Sequence, residues 1–404
     1  PAIREEEDDD DYVDDDVDDE GRGGIENPRR QRRPLLWGAS EMNGWRIDME
    51  DKILVNYDGS TDLGLFGVFD GHGDGGHASD YVASNLWGKL TSRPDWAAAY
   101  RGRDPDLLSS SIVAACCDLD NDLRGDNSRP TRDGGTTAII ALVCDRYMIV
   151  ANVGDSRCIL VRKKTKEVEE EGEKEAAVDG GGDVPRPRAI EAIPMSEDHK
   201  PNLPGERARI ESAGLSVQTD IVPSSDGDDD GVVAATAVVH RVRKSDNNLL
   251  GVSRAFGDYD YKSNAALSPS RQAVVCTPDI VVRERADDDD LYLILACDGI
   301  WDVMSNDDVG EFVTRRVEER RCSNNDDKFL RGEVLARVGD ELLAACLNAG
   351  SRDNMSVLIV AFPASCLVSA PLSSASLSEL AASKRVDDNN IAAVENVTRA
   401  LAYE

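Results

Sequence analysis

The sequence predicts an α+β fold in which antiparallel sheets are covered by helices. One observation is a series of apolar runs joined by links too short for a parallel crossover. "TTAIIALVC" and "YMIVANVG" are separated by only one or two residues around Asp145, which is a tight hairpin. Consecutive hairpins build antiparallel sheet. A second observation is segregation: strands, then helices, then many strands, then helices and a final strand, unlike the regular alternation of a parallel α/β fold. With 404 residues and 40% hydrophobic content, the chain can bury a substantial core.

Taken in order, order begins near Leu35. "KILVNY" and "LGLFGVFD" read as strands divided by a "DGST" turn. From Gly76 to Leu90 the apolar residues Ala78, Tyr81, Val82, Leu86 and Leu90 recur at helical spacing, and a second helix is predicted over Pro105–Leu123. "RCILVRK" follows the hairpin as a further strand. Residues 163–188 turn Lys/Glu/Gly-rich and read as a long insertion between strands. "PNLPGERARIESAG" is a short helix stopped by Gly214. Residues 216–231 read as a second polar insertion, after which "VVAATAVVHRV" resumes the sheet. "AVVCTPDIVVRE" and "LYLILACDG" are strands, Asp307–Arg320 and Phe329–Leu347 amphipathic helices, and "MSVLIVAF" the closing strand. The expected organisation is a tail and linker over 1–34, a catalytic domain over 35–363 and a short helical tail over 364–404. There are no clear internal repeats.

Charge is lopsided, with 46 Lys+Arg against 78 Asp+Glu and a net charge of −32. Residues 1–20 hold thirteen acidic residues and one Arg, too polar to offset chain entropy by burial, so disorder is expected there. The excess of negative charge argues against nucleic-acid or anionic-membrane binding. The "PRRQRRP" cluster is a solvated linker or an import or docking element. Nine cysteines, none in a Cys-x-x-Cys pair and several inside apolar runs, point to reduced core thiols in a cytoplasmic or nuclear protein. No signal peptide and no bilayer-length apolar stretch is visible. The first residue is Pro1 instead of Met, so a trimmed piece of a longer sequence is expected.

Two apolar runs end abruptly at Asp-Gly: "LFGVFDGHG" at Asp70 and "LYLILACDGIWD" at Asp298. Either alone is equally a polar turn after a strand. Together with Glu50, Asp51 and Asp353, far away in the chain, they suggest carboxylates gathered at sheet ends. Such a cluster repels itself unless cations occupy it. All-oxygen donors suit hard divalent ions, and no His/Cys spacing suggests structural zinc. A divalent pair supplies hydroxide and charge neutralisation for hydrolysis of a phosphate ester. Arg46 could grip phosphate oxygens and His72 could protonate the leaving oxygen. Taken singly, Arg46 reads more readily as a surface ion-pair residue and His72 as a turn histidine.

The strings "GWRIDMED", "VFDGHG", "DGGTTA", "ANVGDSR", "SEDHKPNLPGERARIESAG", "GVSRAFGDYDYK", "CTPDI", "LILACDGIWDVMSNDD" and "GSRDNMSV" resemble, in order and spacing, the motif series of the metal-dependent protein phosphatase 2C family. The resemblance runs from about Trp37 to Phe362. It implies a four-layer α-β-β-α sandwich of two stacked antiparallel sheets, with two Mg²⁺ or Mn²⁺ ions in a cleft at one edge. By motif, Asp70 would bridge the ions, and Glu50 with the Gly71 carbonyl would complete one site. Asp298 and Asp353 would complete the other, and Asp51 would act through metal-bound water. Asp155, with Asp298, matches the residues that hold a weaker third ion. Asn354 matches a partner of the metal-ligand loop, and Arg46 and His72 match the phosphate-binding arginine and the proposed acid.

The implied reaction is hydrolysis of phosphoserine and phosphothreonine in protein substrates by a metal-bridging water or hydroxide, carried out by a monomer. The alternative is a weak or inactive scaffold that binds phosphoproteins. Retention of Glu50, Asp70, Asp298 and Asp353 argues against it. Both insertions exceed what a compact family member needs. The second interrupts the segment resembling the flap beside the cleft, where it is either inert loop or a modifier of substrate choice. The C-terminal tail matches no known extension.

Overall fold

A computed structural model describes residues 34–59, 63–126, 134–164, 190–223, 236–323, 330–366 and 399–402. The acidic tail, the basic cluster, most of the first insertion and most of the C-terminal tail therefore lie outside the described residues.

Two sheets dominate, beside a short one of β4 (Gly71–His72), β5 (Gly135–Thr136) and β13 (Phe256–Gly257). The five-stranded sheet contains β2 (Lys52–Asp58), β3 (Leu63–Phe69), β6 (Ala138–Val143), β7 (Tyr147–Val153) and β14 (Asp279–Glu284), in the order β14-β7-β6-β3-β2. Its six-stranded partner contains β1 (Leu36–Met42), β8 (Arg157–Lys163), β9 (Ile190–Pro194), β15 (Asp290–Ala296), β16 (Met355–Ala361) and β17 (Arg399–Ala402), in the order β17-β1-β16-β15-β8-β9. All named strand pairs are antiparallel. The hairpin between β6 and β7 closes through the Cys144 N–H to the Tyr147 carbonyl at 2.9 Å, leaving Asp145-Arg146 as the loop.

Side-chain alternation along the central strands makes the layers. In β6, Ala138, Ile140 and Leu142 face helices α1 (His77–Thr91), α2 (Trp96–Gly102) and α3 (Pro105–Gly125), while Ile139, Ala141 and Val143 face the other sheet. In β16, Leu358 and Val360 meet that same inter-sheet core. Its Met355, Val357 and Ile359 pack under α6 (Asn306–Ser323) and α7 (Gly332–Asn348). Such strands are buried on both faces, so their sequences read as continuous apolar runs. The result is a helix–sheet–sheet–helix sandwich. Helix α3 starts where Asp104 accepts from the N–H groups of Asp106 and Leu107 at 3.0 and 3.1 Å, with Pro105 in the first turn.

Several elements depart from the sequence reading. Strand β1 and helix α2 were not expected. Residues Ser216–Pro223, read as part of a polar insertion, form β10, which pairs with β11 (Thr236–Ser245). The described part of "VVAATAVVHRV" therefore does not rejoin the main sheets. It belongs to a three-stranded sheet completed by β12 (Asn248–Leu250). That sheet and α4 (Pro204–Ser212) share a small core of Ile210, Val242, Val252, Ala255, Tyr261 and Val274. Of the predicted helical tail, Pro363–Cys366 is one 3₁₀ turn and Arg399–Ala402 is a strand on β1.

The sandwich brings distant acids to one end. Asp70 follows β3, Asp51 precedes β2, and Lys52 pairs with Phe69. Asp298 opens the single-turn α5 (Asp298–Trp301) after β15, and Asp353 precedes β16, with Ala296 opposite Val357. Asp155 lies in the β7–β8 turn, beside Arg157, which pairs with Ala296.

Candidate active site

The carboxylates at this end act on one another. Desolvation and the charges of Asp298, Asp51, Asp155 and Asp353 hold the Asp70 carboxyl well above its usual range. Asp298 is raised in the same way, by desolvation and then by Asp155 and Asp302, with Lys200 opposing. Asp51 is 1% exposed and pushed up to about 7, chiefly by burial. Its Oδ2 accepts from Ser356 Oγ at 2.7 Å, while Oδ1 is buried without a hydrogen-bond partner. Like charges held this close disfavour full ionisation unless positive charge is supplied. Oxygen-only donors and an orphaned buried carboxylate oxygen fit a hard divalent cation. As the side chains stand, no three His, Cys, Asp or Glu groups among the described residues are close enough together to grip a metal ion.

Existing cations occupy part of this need. Arg46 Nη2 lies 2.7 Å from Asp353 Oδ2, with both side chains partly exposed. Lys200 Nζ lies 2.5 Å from Asp155 Oδ2, and Asp155 is 4% exposed. Glu50 reaches the site by its backbone. Its N–H donates to Asn354 Oδ1 at 2.9 Å, while its carboxylate accepts the Gly75 N–H at 2.9 Å. Glu50 is not among the largest charges acting on Asp70. Gly71 is required by close approach, because a Cβ there would sit 2.4 Å from the Glu50 carbonyl oxygen. His72 Nε2 lies 2.9 Å from Asp258 Oδ2. Burial works against the charged imidazole, but Asp258, aided by Asp155 and Asp74, lifts it to about 9. Asp258 therefore favours the protonated ring.

The family model described as Protein phosphatase 2C matches residues 36–355. The chain belongs to the protein phosphatase 2C family.

Its curated relatives are named protein phosphatases. Protein phosphatase 1A of Mus musculus is 30% identical over 349 residues, covering 85% of this chain and 75% of that protein. Protein phosphatase 2C homolog 2 of Schizosaccharomyces pombe is 35% identical over 337 residues, covering 82% and 74% respectively. Among solved structures, a serine-threonine phosphatase 2C from Toxoplasma gondii superposes with a TM-score of 0.60 at 22% identity, over 81% of this chain and 95% of that one. That likeness bears on fold. Membership of the protein phosphatase 2C family supports protein phosphatase function for this chain by homology. No helix among the described residues is long and apolar enough to cross a membrane.

Sequence reasoning missed three site residues of this phosphatase. Lys200 stands alone after His199 in "SEDHKPN", and nothing in the string shows that it reaches Asp155. Asp258 sits in the left-handed region with φ 49, directly after Gly257 with φ 76, and this turn aims its carboxylate at His72. The Gly-Asp pair was a usable turn signal, but its partner is 186 residues away. Asp302 adds charge next to Asp298. Asn354 Nδ2 donates to the carbonyls of Asn43 and Asp48 at 3.1 and 3.0 Å.

Proposed function

We propose that this phosphatase hydrolyses phosphoserine and phosphothreonine with two divalent cations, Mg²⁺ or Mn²⁺, held among Asp70, Asp298, Asp353, Glu50 and the Gly71 carbonyl. Asp51 would act through bound water, and Asp155 would serve a weaker third ion. One observation carries the reading: separate chain segments deliver carboxylates that raise one another's pKa values at a single end of the sandwich. The ions, when bound, supply hydroxide at neutral pH and offset charge on the phosphoryl group. The domain spans 35–363.

The chain's own residues do the rest. Arg46 presents a planar fork of donors suited to phosphoryl oxygens, and its present partner Asp353 keeps it at the cluster. His72 holds a proton that it can give to the departing serine or threonine oxygen, while Asp258 fixes the ring and keeps it charged. Lys200 and Arg46 neutralise Asp155 and Asp353, so ion binding would compete with both contacts. The scaffold reading is not favoured, because the carboxylate set is intact.

The test compares phosphate release from phosphothreonine, phosphoserine and phosphotyrosine peptides of one sequence in Mn²⁺. Preferential release from the first two is expected. Tight phosphopeptide binding with no release in Mg²⁺ or Mn²⁺ would establish the scaffold instead.

A further inference from the structure

Two of the largest apolar side chains on the described surface flank Arg46. Trp45 is 74% exposed and Ile47 is 94% exposed. Neither belongs to any of the hydrophobic clusters of the fold. Burying side chains of this size is strongly favourable, so a loop free to rearrange would tend to cover them. This loop is held. Gly44 adopts φ +60 against the Asp353 carbonyl, where a Cβ would meet the oxygen at 2.2 Å. Asn354 Nδ2 bonds the carbonyls at both ends of the loop, on Asn43 and Asp48. Asn43 Nδ2 donates to the Ile47 carbonyl at 3.3 Å, and the Arg46 N–H donates to the Asn43 carbonyl at 3.2 Å. The backbone is thus pinned to the catalytic end while its two apolar side chains point into solvent.

We propose that Trp45 and Ile47 form an apolar clamp on either side of Arg46. The clamp would take up non-polar side chains flanking the phosphorylated residue of a protein substrate. The inference rests on the phosphatase reading and names the substrate class that reading leaves open. Position selects the occupant. A phosphoryl group held by Arg46 would bring the residues on either side of it, spaced about 3.3 Å apart along an extended chain, over the adjoining side chains. Charge points the same way. A chain of net charge −32 repels the competing occupants, anionic lipid and strongly acidic peptides. Tryptophan provides large contact area at low entropic cost, as at interface hot spots.

The experiment uses two phosphothreonine peptides of equal length and charge, one with Leu and one with Gly on each side of the phosphoresidue. The quantity read is the ratio of their kcat/KM values in Mn²⁺ for wild type, Trp45→Ala and Ile47→Ala. Wild type should favour the Leu peptide about tenfold, the scale of covering one large apolar side chain. Each variant should move the ratio toward one. A wild-type ratio near one, or a preference that survives both substitutions, overturns the clamp.

A second readout is independent of turnover. Of the five tryptophans, Trp45 is the exposed one, so iodide quenching of tryptophan fluorescence reports on it. A non-hydrolysable phosphonate version of the Leu peptide should protect it, and the Gly version should protect it less. Absence of protection overturns the clamp. So does protection that appears with rising protein concentration alone, which would assign the surface to a second copy of the chain. If neither peptide is hydrolysed by wild type, the phosphatase reading fails while quenching still decides the clamp.

Discussion

Glu206 offers a prediction with a magnitude that the structure supplies. Its side chain is only 7% exposed, yet it is held charged. Oε1 lies 2.7 Å from Arg209 Nη1 and 2.9 Å from Arg254 Nη2, and Oε2 accepts from Ser253 Oγ at 2.5 Å. Burial alone would raise this carboxyl. Arg209, Arg254 and Ser253 outweigh it and bring it down from 4.5 to about 2. At roughly 1.4 kcal/mol per pH unit this is worth about 3 kcal/mol of folding stability at pH 7. The sign follows from the lowered value. The contribution is complete above pH 4.5, where the unfolded chain is also ionised. It fades as pH falls toward about 2, where the folded carboxylate takes up its proton.

Glu206→Gln should therefore lower the urea-unfolding free energy by about 3 kcal/mol at pH 7 and by only about 1 kcal/mol near pH 3. A gap below 1 kcal/mol at pH 7, or one that does not shrink on acidification, would refute the reasoning. The residue also bears on the site. Arg254 bridges Glu206 to Asp279, Asp279 holds His199 Nε2 at 3.0 Å, and His199 Nδ1 accepts the Gly154 N–H next to Asp155.

Other residues give further expectations. His72→Ala should cost more with alkyl phosphate esters than with aryl esters, whose leaving groups need less protonation; equal losses on both substrates remove His72 from the acid role. Lys200→Met leaves Asp155 facing Asp298 and Asp302 without its cation. The metal-free protein should lose about 1–3 kcal/mol of stability, and Mn²⁺ should raise its Tm more than it raises that of wild type. Equal Mn²⁺ shifts in the two proteins would contradict this competition. Gly71→Ala drives a methyl group into the Glu50 carbonyl, so phosphate release should fall sharply while circular dichroism stays close to wild type; unchanged turnover would show that this close approach is dispensable.

What could be read from sequence followed burial. Strands β3, β6, β15 and β16 are buried on both faces, and their unbroken apolar runs stand out. The acids at their ends were legible for the same reason, since Asp70 and Asp298 interrupt such runs. Strand β1 was missed because its buried positions include Gly38 and Ser40, small residues packed under α7. Strand β10 was missed because "SVQTDIVP" belongs to a hairpin with little burial; Ile221 is 71% exposed opposite Val238 at 57%. Contacts across long separations left no trace in local pattern. His72 with Asp258 and Lys200 with Asp155 are such pairs. The same holds for Arg46 on Asp353, 307 residues apart.

The proposed chemistry requires the carboxylates gathered around Asp70 to work through divalent ions. Its most direct test is phosphate release from a phosphothreonine peptide by wild type and Asp70→Asn, in Mn²⁺ and after chelation. Turnover is expected in Mn²⁺, none after chelation until Mn²⁺ is restored, and a loss of at least about a hundredfold in Asp70→Asn, roughly 2.7 kcal/mol of barrier. Hydrolysis that persists in chelator and survives the substitution would contradict it.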